Sequence, residues 1–297
     1  MSLSSALARL ATFRTNNTRA SQETFKNASI ILKSAKQLGD DGWAVLEQLF
    51  LASVDIGRLD VADQCLKQLG ERFPDSPRVN VLTGIRMEAT ESPDVVLQYY
   101  GQLLDADPAN AAIWKRKISV LRRTGKIEKA VEELSQLVDT FYTDVEGWLE
   151  LADIYTTCNQ YIPALQALSH VLLLAPQNPF YVLQFAETAY TSGDLPLALK
   201  TFLVVVDMVE RDLDSPEKKP AAGISVRAWL GVKLCSRRLM INSSPSASNT
   251  PIPKSLNLIE ELATERVLGA YSSKGTAGRG GKIAQGKEVV VGWVGDR

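Results

Sequence analysis

Apolar residues recur every three or four positions through most of this chain, the spacing that lines one face of an α-helix, and short polar turns interrupt them at regular intervals. The stretch from Val145 to Asn178 shows the pattern most fully. Its first half carries Trp148, Leu151, Ala152 and Tyr155, and its second carries Ala164, Leu168 and Pro176. This predicts two helices joined by a short turn. Small Ala152 and Ala164 let them approach closely, Trp148 and Tyr155 fill the groove beside them, and Pro176 stops the second helix. One such hairpin cannot bury its own apolar face, so neighbours are required.

The neighbours stand in phase. Trp114 lies 34 residues before Trp148, and Ala130, Ala164 and Ala198 are spaced by 34. Ala62 precedes Ala130 by 68, and Gly57, Gly125 and Gly193 step by 68 at the turn between paired helices. Pro74 and Pro108 are 34 apart, and Pro176 follows Pro108 by 68. A bulky residue, a small one at the crossing, an aromatic, a small Ala and a closing Pro make the tetratricopeptide (TPR) signature. The expected fold is therefore all-α, a TPR-type α-solenoid of helix-turn-helix repeats with period 34. Five repeats start at 43, 77, 111, 145 and 179. The second diverges, with Gly84 at the small crossing site and Val96 in place of Ala. In the third, Lys117 and Tyr142 stand where Leu and Pro are usual, and in the fifth Val182 replaces the Trp.

The flanks break the rhythm. Residues 1–21 read as a flexible leader or docking helix, with Leu3, Ala6, Leu7, Leu10 and Phe13 on one helical face. Arg9, Arg14 and Arg19, with no acid before Glu23, also resemble a mitochondrial presequence, and a solenoid cap fits equally. The solenoid spans 22–271, opening with a helix over 22–38 closed by Gly39 and a cap at 40–42. In-phase repeats fill about 43–212, a charged Pro-containing insertion follows at 212–223, and capping helices are expected at 224–240 and 256–271. The Ser/Pro segment 243–253 reads as disordered, and 272–297 as a Gly-rich flexible tail. Within that tail Val289, Val290, Val291, Trp293 and Val294 form a β-prone apolar patch able to dock on the solenoid or a partner.

Composition narrows the function. With 33 basic and 34 acidic residues the net charge is -1, which gives no global field towards nucleic acid or anionic lipid. Cys65, Cys158 and Cys235 are far apart and form no zinc spacing, as isolated thiols of a reducing compartment do. The one histidine, His170, is expected to pack or face solvent; no metal and no cofactor is called for. No run reaches the roughly 18 apolar residues a membrane span needs. Gly275 and Gly280 frame a phosphate-loop spacing, but Gly281 stands where the lysine must be. The acid pairs Glu132–Glu133 and Glu260–Glu261 read as solvated surface, and with one histidine no nucleophilic triad is available. Catalytic residues are thus expected to be absent, and the chain is read as a binding protein, not an enzyme.

Binding would fall on the solenoid's concave surface, lined by outward positions of each repeat's first helix. By phase these include Arg78, Ile85, Lys115, Ser119, Arg122, Glu146, Asp153, Thr156, Glu187 and Tyr190. TPR proteins that grip a C-terminal carboxylate present Lys, Arg and paired Asn along this row. Here it reads Leu51, Ile85, Ser119, Asp153, Glu187, apolar and then acidic, which suits a long segment of another protein better.

Several stretches go beyond the generic repeat: FPDSPRV at 73–79 leading into LTGIRMEA, DPAN at 107–110, KRKISVLRRTGK at 115–126, EGWLELADIY at 146–155 and NPFYVLQFAETAYTSGD at 178–194. Over roughly 43–240 the chain resembles the family of subunit 2 of the endoplasmic-reticulum (ER) membrane protein complex. The Ser/Pro segment and the Gly-rich tail lie outside the likeness. The resemblance implies a non-catalytic scaffold, peripheral on the cytoplasmic face of the ER membrane, within an insertase for tail-anchored and multi-spanning proteins. Its partners would be cytosolic segments of membrane subunits and a soluble subunit, with no nucleic acid and no span of its own. The basic run Lys115, Arg116, Lys117, Arg122, Arg123 would face the membrane or an acidic partner, or else form a solvated helix face. The alternative is a TPR chaperone adaptor for precursor targeting, cytosolic or mitochondrial.

Overall fold

A computed structural model of the chain describes residues 3–34, 41–211, 221–241, 247–272 and 287–295. The described residues are helical throughout their regular structure, with no strand among them, and they build TPR-type helix hairpins. The chain divides into two compact units, Met1–Leu134 and Ser135–Arg297. The first contains α1 (Leu3–Thr15), α2 (Ser21–Ser34), α3 (Asp41–Asp55), α4 (Leu59–Arg72), α5 (Pro77–Glu88), α6 (Pro93–Ala106), α7 (Ala111–Arg123) and the start of α8 (Ile127–Thr140). From α1 to α7 each helix packs on the next in sequence, the layering that a short tandem repeat dictates.

The expected repeats of the first unit are the hairpins α3–α4 and α5–α6, followed by α7 with the start of α8. Ala62 and Ala130 are fully buried where the helices cross. The leader is a helix: α1 buries Ala6 and Leu10 completely and sets Leu7 and Phe13 against the same core as Phe50 and Leu49 of α3. With α2 it makes a further hairpin ahead of the periodic region. Divergence of the second repeat has a packing reason. Tyr100 of α6 is fully buried and occupies the space that a Cβ at Gly84 would need.

The second unit holds the remainder of α8, α9 (Val145–Thr157), α10 (Tyr161–Leu174), α11 (Pro179–Ser192), α12 (Leu195–Glu210), α13 (Ile224–Ile241), α14 (Leu256–Ser272) and α15 (Lys287–Gly295). Again each helix from α9 to α15 packs on its successor. Ala152, Ala164 and Ala198 are fully buried, and α10 ends two residues before Pro176. One core cluster joins Ala198, Phe202, Ala228, Trp229, Val232, Ala263 and Val267, so α13 and α14 continue the repeat packing after its periodicity fades.

Turns carry the period as clearly as the crossings. Gly57, Gly125 and Gly193 have φ of +77°, +74° and +89°, a left-handed backbone that glycine adopts at no steric cost. Asn159 sits at the same phase, 34 beyond Gly125, and takes φ +58°. Asn is the residue that best tolerates that region after Gly, so the turn survives the substitution.

Two flanking segments differ from expectation. Residues 247–253 were expected to be disordered. They instead follow a defined path over α12, with the Ser248 amide donating to Asp194 at 2.9 Å, while the other Asp194 oxygen caps α12 through Leu197. The valine-rich end is helical, as α15, where local preference favoured a strand. Residues 35–40, 212–220, 242–246 and 273–286 lie outside the described residues, and with them Gly39, most of the charged insertion and the phosphate-loop-like glycines.

Candidate interaction surfaces

In the first unit two adjoining grooves open beside α3. One, of about 440 Å³, is bounded by Arg14, Arg19, Gln48, Leu51, Asp55 and Arg78; the next, of about 500 Å³, by Leu51, Val54, Ile85, Glu88, Arg116 and Arg123. Ion pairs set their walls. Arg19, in the turn after α1, grips Asp55 at the end of α3 through Nε and Nη2 of one guanidinium edge, at 3.0 and 2.5 Å, and the Ser21 hydroxyl donates to the same carboxylate at 2.5 Å. A carboxylate at a helix C-terminus opposes the helix dipole, and the Arg19 hydrogen bonds offset this. They hold the Asp55 carboxyl below its ordinary range against the opposite push of burial.

The second groove is floored by Glu88, whose side chain is only 6% exposed. It accepts the Tyr100 hydroxyl at 2.7 Å and Arg116 Nη2 at 2.6 Å, while Arg123 stands 3.5 Å away. Burial, followed by the neighbouring Glu88 carboxylate, raises the Tyr100 phenol well above its usual value. Burial works against the Arg116 charge, and Glu88 and Tyr100 together more than restore it.

These pairs change the reading of the basic run on α7. Arg116 and Arg123 are bound to Glu88, and Lys117 donates to Glu133 at 2.5 Å. Lys115 and Arg122 are half-buried and are engaged as well. Arg116, Lys117 and Arg123 are thus part of the helix-to-helix wiring of their unit and not an open basic face. Glu133 also accepts the Trp114 indole at 2.8 Å, so it is not the solvated acid expected of the Glu132–Glu133 pair. Of the other row positions in this unit, Arg78 is exposed and paired with Glu47 at 2.7 Å, Ile85 packs on the core, and Ser119 is exposed.

In the second unit Glu146 and Asp153 are exposed, and the Thr156 hydroxyl bonds back to the Ala152 carbonyl. Glu187 is clamped by Arg227 of α13 at 2.5 and 2.9 Å, and Tyr190 lies under the Arg238 guanidinium, 5.1 Å from the ring centroid. The acidic end of the row is therefore partly neutralised from within. Trp148 is half-buried and stacks on His170 with ring centroids 4.3 Å apart, while its indole donates to the Tyr142 carbonyl at 3.0 Å. His170 is thereby a packing partner of the repeat's Trp.

Sequence reasoning missed Glu88, Asp55 and a buried lysine, Lys233, only 1% exposed, which donates to Glu260 and Thr264 at 2.5 Å. That bond also removes Glu260 from the solvated pair expected at 260–261. A signal was present: Lys233 lies four residues after Trp229, on the apolar face of its helix. Among the described residues no group of three or more His, Cys, Asp or Glu is placed to hold a metal ion.

Stacked hairpins with ion-paired furrows along their first helices define a TPR repeat protein. The fold is shared with the C-terminal part of a TPR repeat-containing protein from Cytophaga hutchinsonii, at 12% identity and a TM-score of 0.54 over 90% of this chain and 96% of that one. The family described as the EMC2 TPR-like repeat domain matches residues 78–200. ER membrane protein complex subunit 2 of Xenopus tropicalis is 40% identical over 90% of this chain and 86% of its own length. Subunit 2-B of Xenopus laevis is 35% identical over the same shares. The TPR repeat protein oca3 of Schizosaccharomyces pombe is 29% identical over 76% of each chain. The chain belongs to the family of ER membrane protein complex subunit 2.

Proposed function

We propose that this chain is a non-catalytic scaffold subunit of an ER membrane protein complex, lying peripherally on the cytoplasmic face of the ER membrane. In that place its TPR surfaces hold cytosolic segments of membrane subunits together with a soluble subunit. The complex so organised inserts tail-anchored and multi-spanning proteins. The observation that carries the reading is the match to subunit 2 proteins over 90% of the chain, well beyond the repeats alone. The surfaces agree with it. Their charges are largely spent on neighbouring helices, which leaves apolar and hydroxyl positions such as Leu51 and Ser119 for contact with a long partner segment. No helix among the described residues is long and apolar enough to cross a membrane, which suits a peripheral place.

The test is purification of the tagged chain in mild detergent, with mass spectrometry of what accompanies it. Stoichiometric ER membrane subunits are expected. Substoichiometric chaperones with no membrane subunit would overturn the scaffold and favour the chaperone adaptor.

A further inference from the structure

The second unit ends in a helix that its own sequence does not favour. α15 reads KEVVVGWVG, three consecutive β-branched valines and two glycines within nine residues. Such a segment is a poor helix former and too short to hold helicity alone. What holds it is the α13–α14 pair. Val290 packs on the core cluster, the Trp293 ring centroid lies 5.9 Å from the Lys233 ammonium, and Arg237 donates to the Trp293 carbonyl at 3.4 Å. Val290 and Trp293 are three apart and so share one helix face. The outer face stays open, with Val289 75% and Val291 46% exposed.

The seat extends beyond the helix that occupies it. A furrow of about 690 Å³ includes Lys233 and Arg237, which α15 touches, and continues past Met240, Leu268, Glu261 and Glu265. It offers three distinct contacts: apolar side chains, a cation against an aromatic ring, and a guanidinium for the carbonyl end of a helix. The acids on its rim favour a ligand with basic flanks.

We propose that the α13–α14 furrow is a helix-receiving site and that α15 is its built-in, detachable occupant. The partner it fits is a short helix carrying an aliphatic residue and an aromatic three positions apart, flanked by basic residues, which displaces α15. While α15 is seated, the apparent affinity for such a partner is lowered by the fraction of molecules whose furrow is open.

The test uses the full chain and a dye-labelled synthetic peptide of residues 287–297, followed by fluorescence anisotropy. In Gly292→Pro the built-in helix is broken without loss of a contacting side chain, because a Cβ at Gly292 meets nothing within 4 Å. The peptide is expected to bind this variant at least about tenfold more tightly than the unaltered chain. A peptide with Trp293→Ala is expected to bind neither. Equal affinity for both chains, or no binding to a variant that keeps the circular dichroism of the unaltered chain, would overturn the proposal. Hydrogen exchange on the unaltered chain gives an independent check: α15 amides are expected to exchange much faster than those of α13. Equal protection of the two helices means that α15 is a fixed part of the core and sinks the idea.

Discussion

Adding one methyl group at Gly84 tests the central packing argument of the first unit. A Cβ there would lie within 2.6 Å of Cε1, Oη and Cζ of Tyr100, a ring with no exposed surface. The ring cannot yield without moving its hydroxyl off Glu88, now 2.7 Å away. Overpacking of this kind costs about 1–3 kcal/mol, and losing a hydrogen bond to a charged acceptor about 1.5–3 kcal/mol. Against these, Ala is favoured over Gly inside a helix by about 1 kcal/mol. Gly84→Ala should therefore destabilise the unit by about 1.5–5 kcal/mol, centred near 3 kcal/mol. Native-state hydrogen exchange on the α5–α7 amides resolves this within one unit, and about 3 kcal/mol corresponds to a roughly hundredfold loss of protection. The control is the same change in a Tyr100→Ala background. With the ring gone, the methyl should be neutral or stabilise by up to about 1 kcal/mol. An equal cost in both backgrounds would refute the claim that Tyr100 is the reason for Gly84.

Three further outcomes follow from named groups. Burial pushes the Cys65 thiol up to about 11 and the Cys235 thiol up to about 12, whereas Cys158 is exposed. A thiol reagent at pH 8 should thus label one cysteine quickly and two only on unfolding; fast labelling of all three contradicts the burial. Asp55 and Asp63 are held below the ordinary carboxylate value of 3.8 chiefly by hydrogen bonds from Arg19 and Arg86, and Asp60 is lowered to about 2 by Arg58. Depressed carboxyls contribute stability that is fully present above their unfolded values and is lost as pH falls through the folded ones. Urea midpoints should therefore hold above pH 4 and decline from pH 4 towards 2, less steeply in Asp55→Asn; an unchanged slope in that variant would remove Asp55 from the account. Gly125→Val places a β-branched residue at φ +74° and should cost about 1–2 kcal/mol, while Asn159→Gly should be neutral within about 0.5 kcal/mol. Thermal melts of the two variants separate these outcomes, and a tolerated valine would mean that the turn relaxes.

How much was legible in the sequence depended on the range of the interaction. A 34-residue period fixes which positions meet within a hairpin and between neighbours, so the buried alanines at 62, 130, 152, 164 and 198 and the glycine turns could be read directly. Charge pairing could not. Arg116 meets Glu88 across 28 residues and Arg227 meets Glu187 across 40, between helices whose rotation relative to one another the pattern leaves open. An acid next to another acid, as at 132–133 and 260–261, reads as surface until the facing helix is in place. For α15 the docking of the apolar patch could be read from the sequence, but its helical conformation could not. Local preference for an extended chain was real, and docking on α13–α14 overrode it.

The same pairing decides how the interaction surfaces can be probed. In the first unit Arg78 ties α5 to Glu47 of α3, and Arg116 ties α7 to Glu88 of α5; in the second, Arg227 ties α13 to Glu187 of α11. Charges along these rows join α3 to α5 and α5 to α7 in the first unit, and α11 to α13 in the second. Reversing one therefore weakens the scaffold before it informs on any partner. Arg116→Glu would set a second acid beside a carboxylate that is 6% exposed, and losing such a pair costs about 3–5 kcal/mol. Loss of a partner after that change says little about contact. Ser119 is exposed on the same helix, between the paired arginines. Ser119→Arg should leave stability within about 0.5 kcal/mol, so fewer co-purified subunits after that change would report contact itself. Full recovery with Ser119→Arg, set against loss with Arg116→Glu, would mean that the row serves the fold and that partners bind elsewhere.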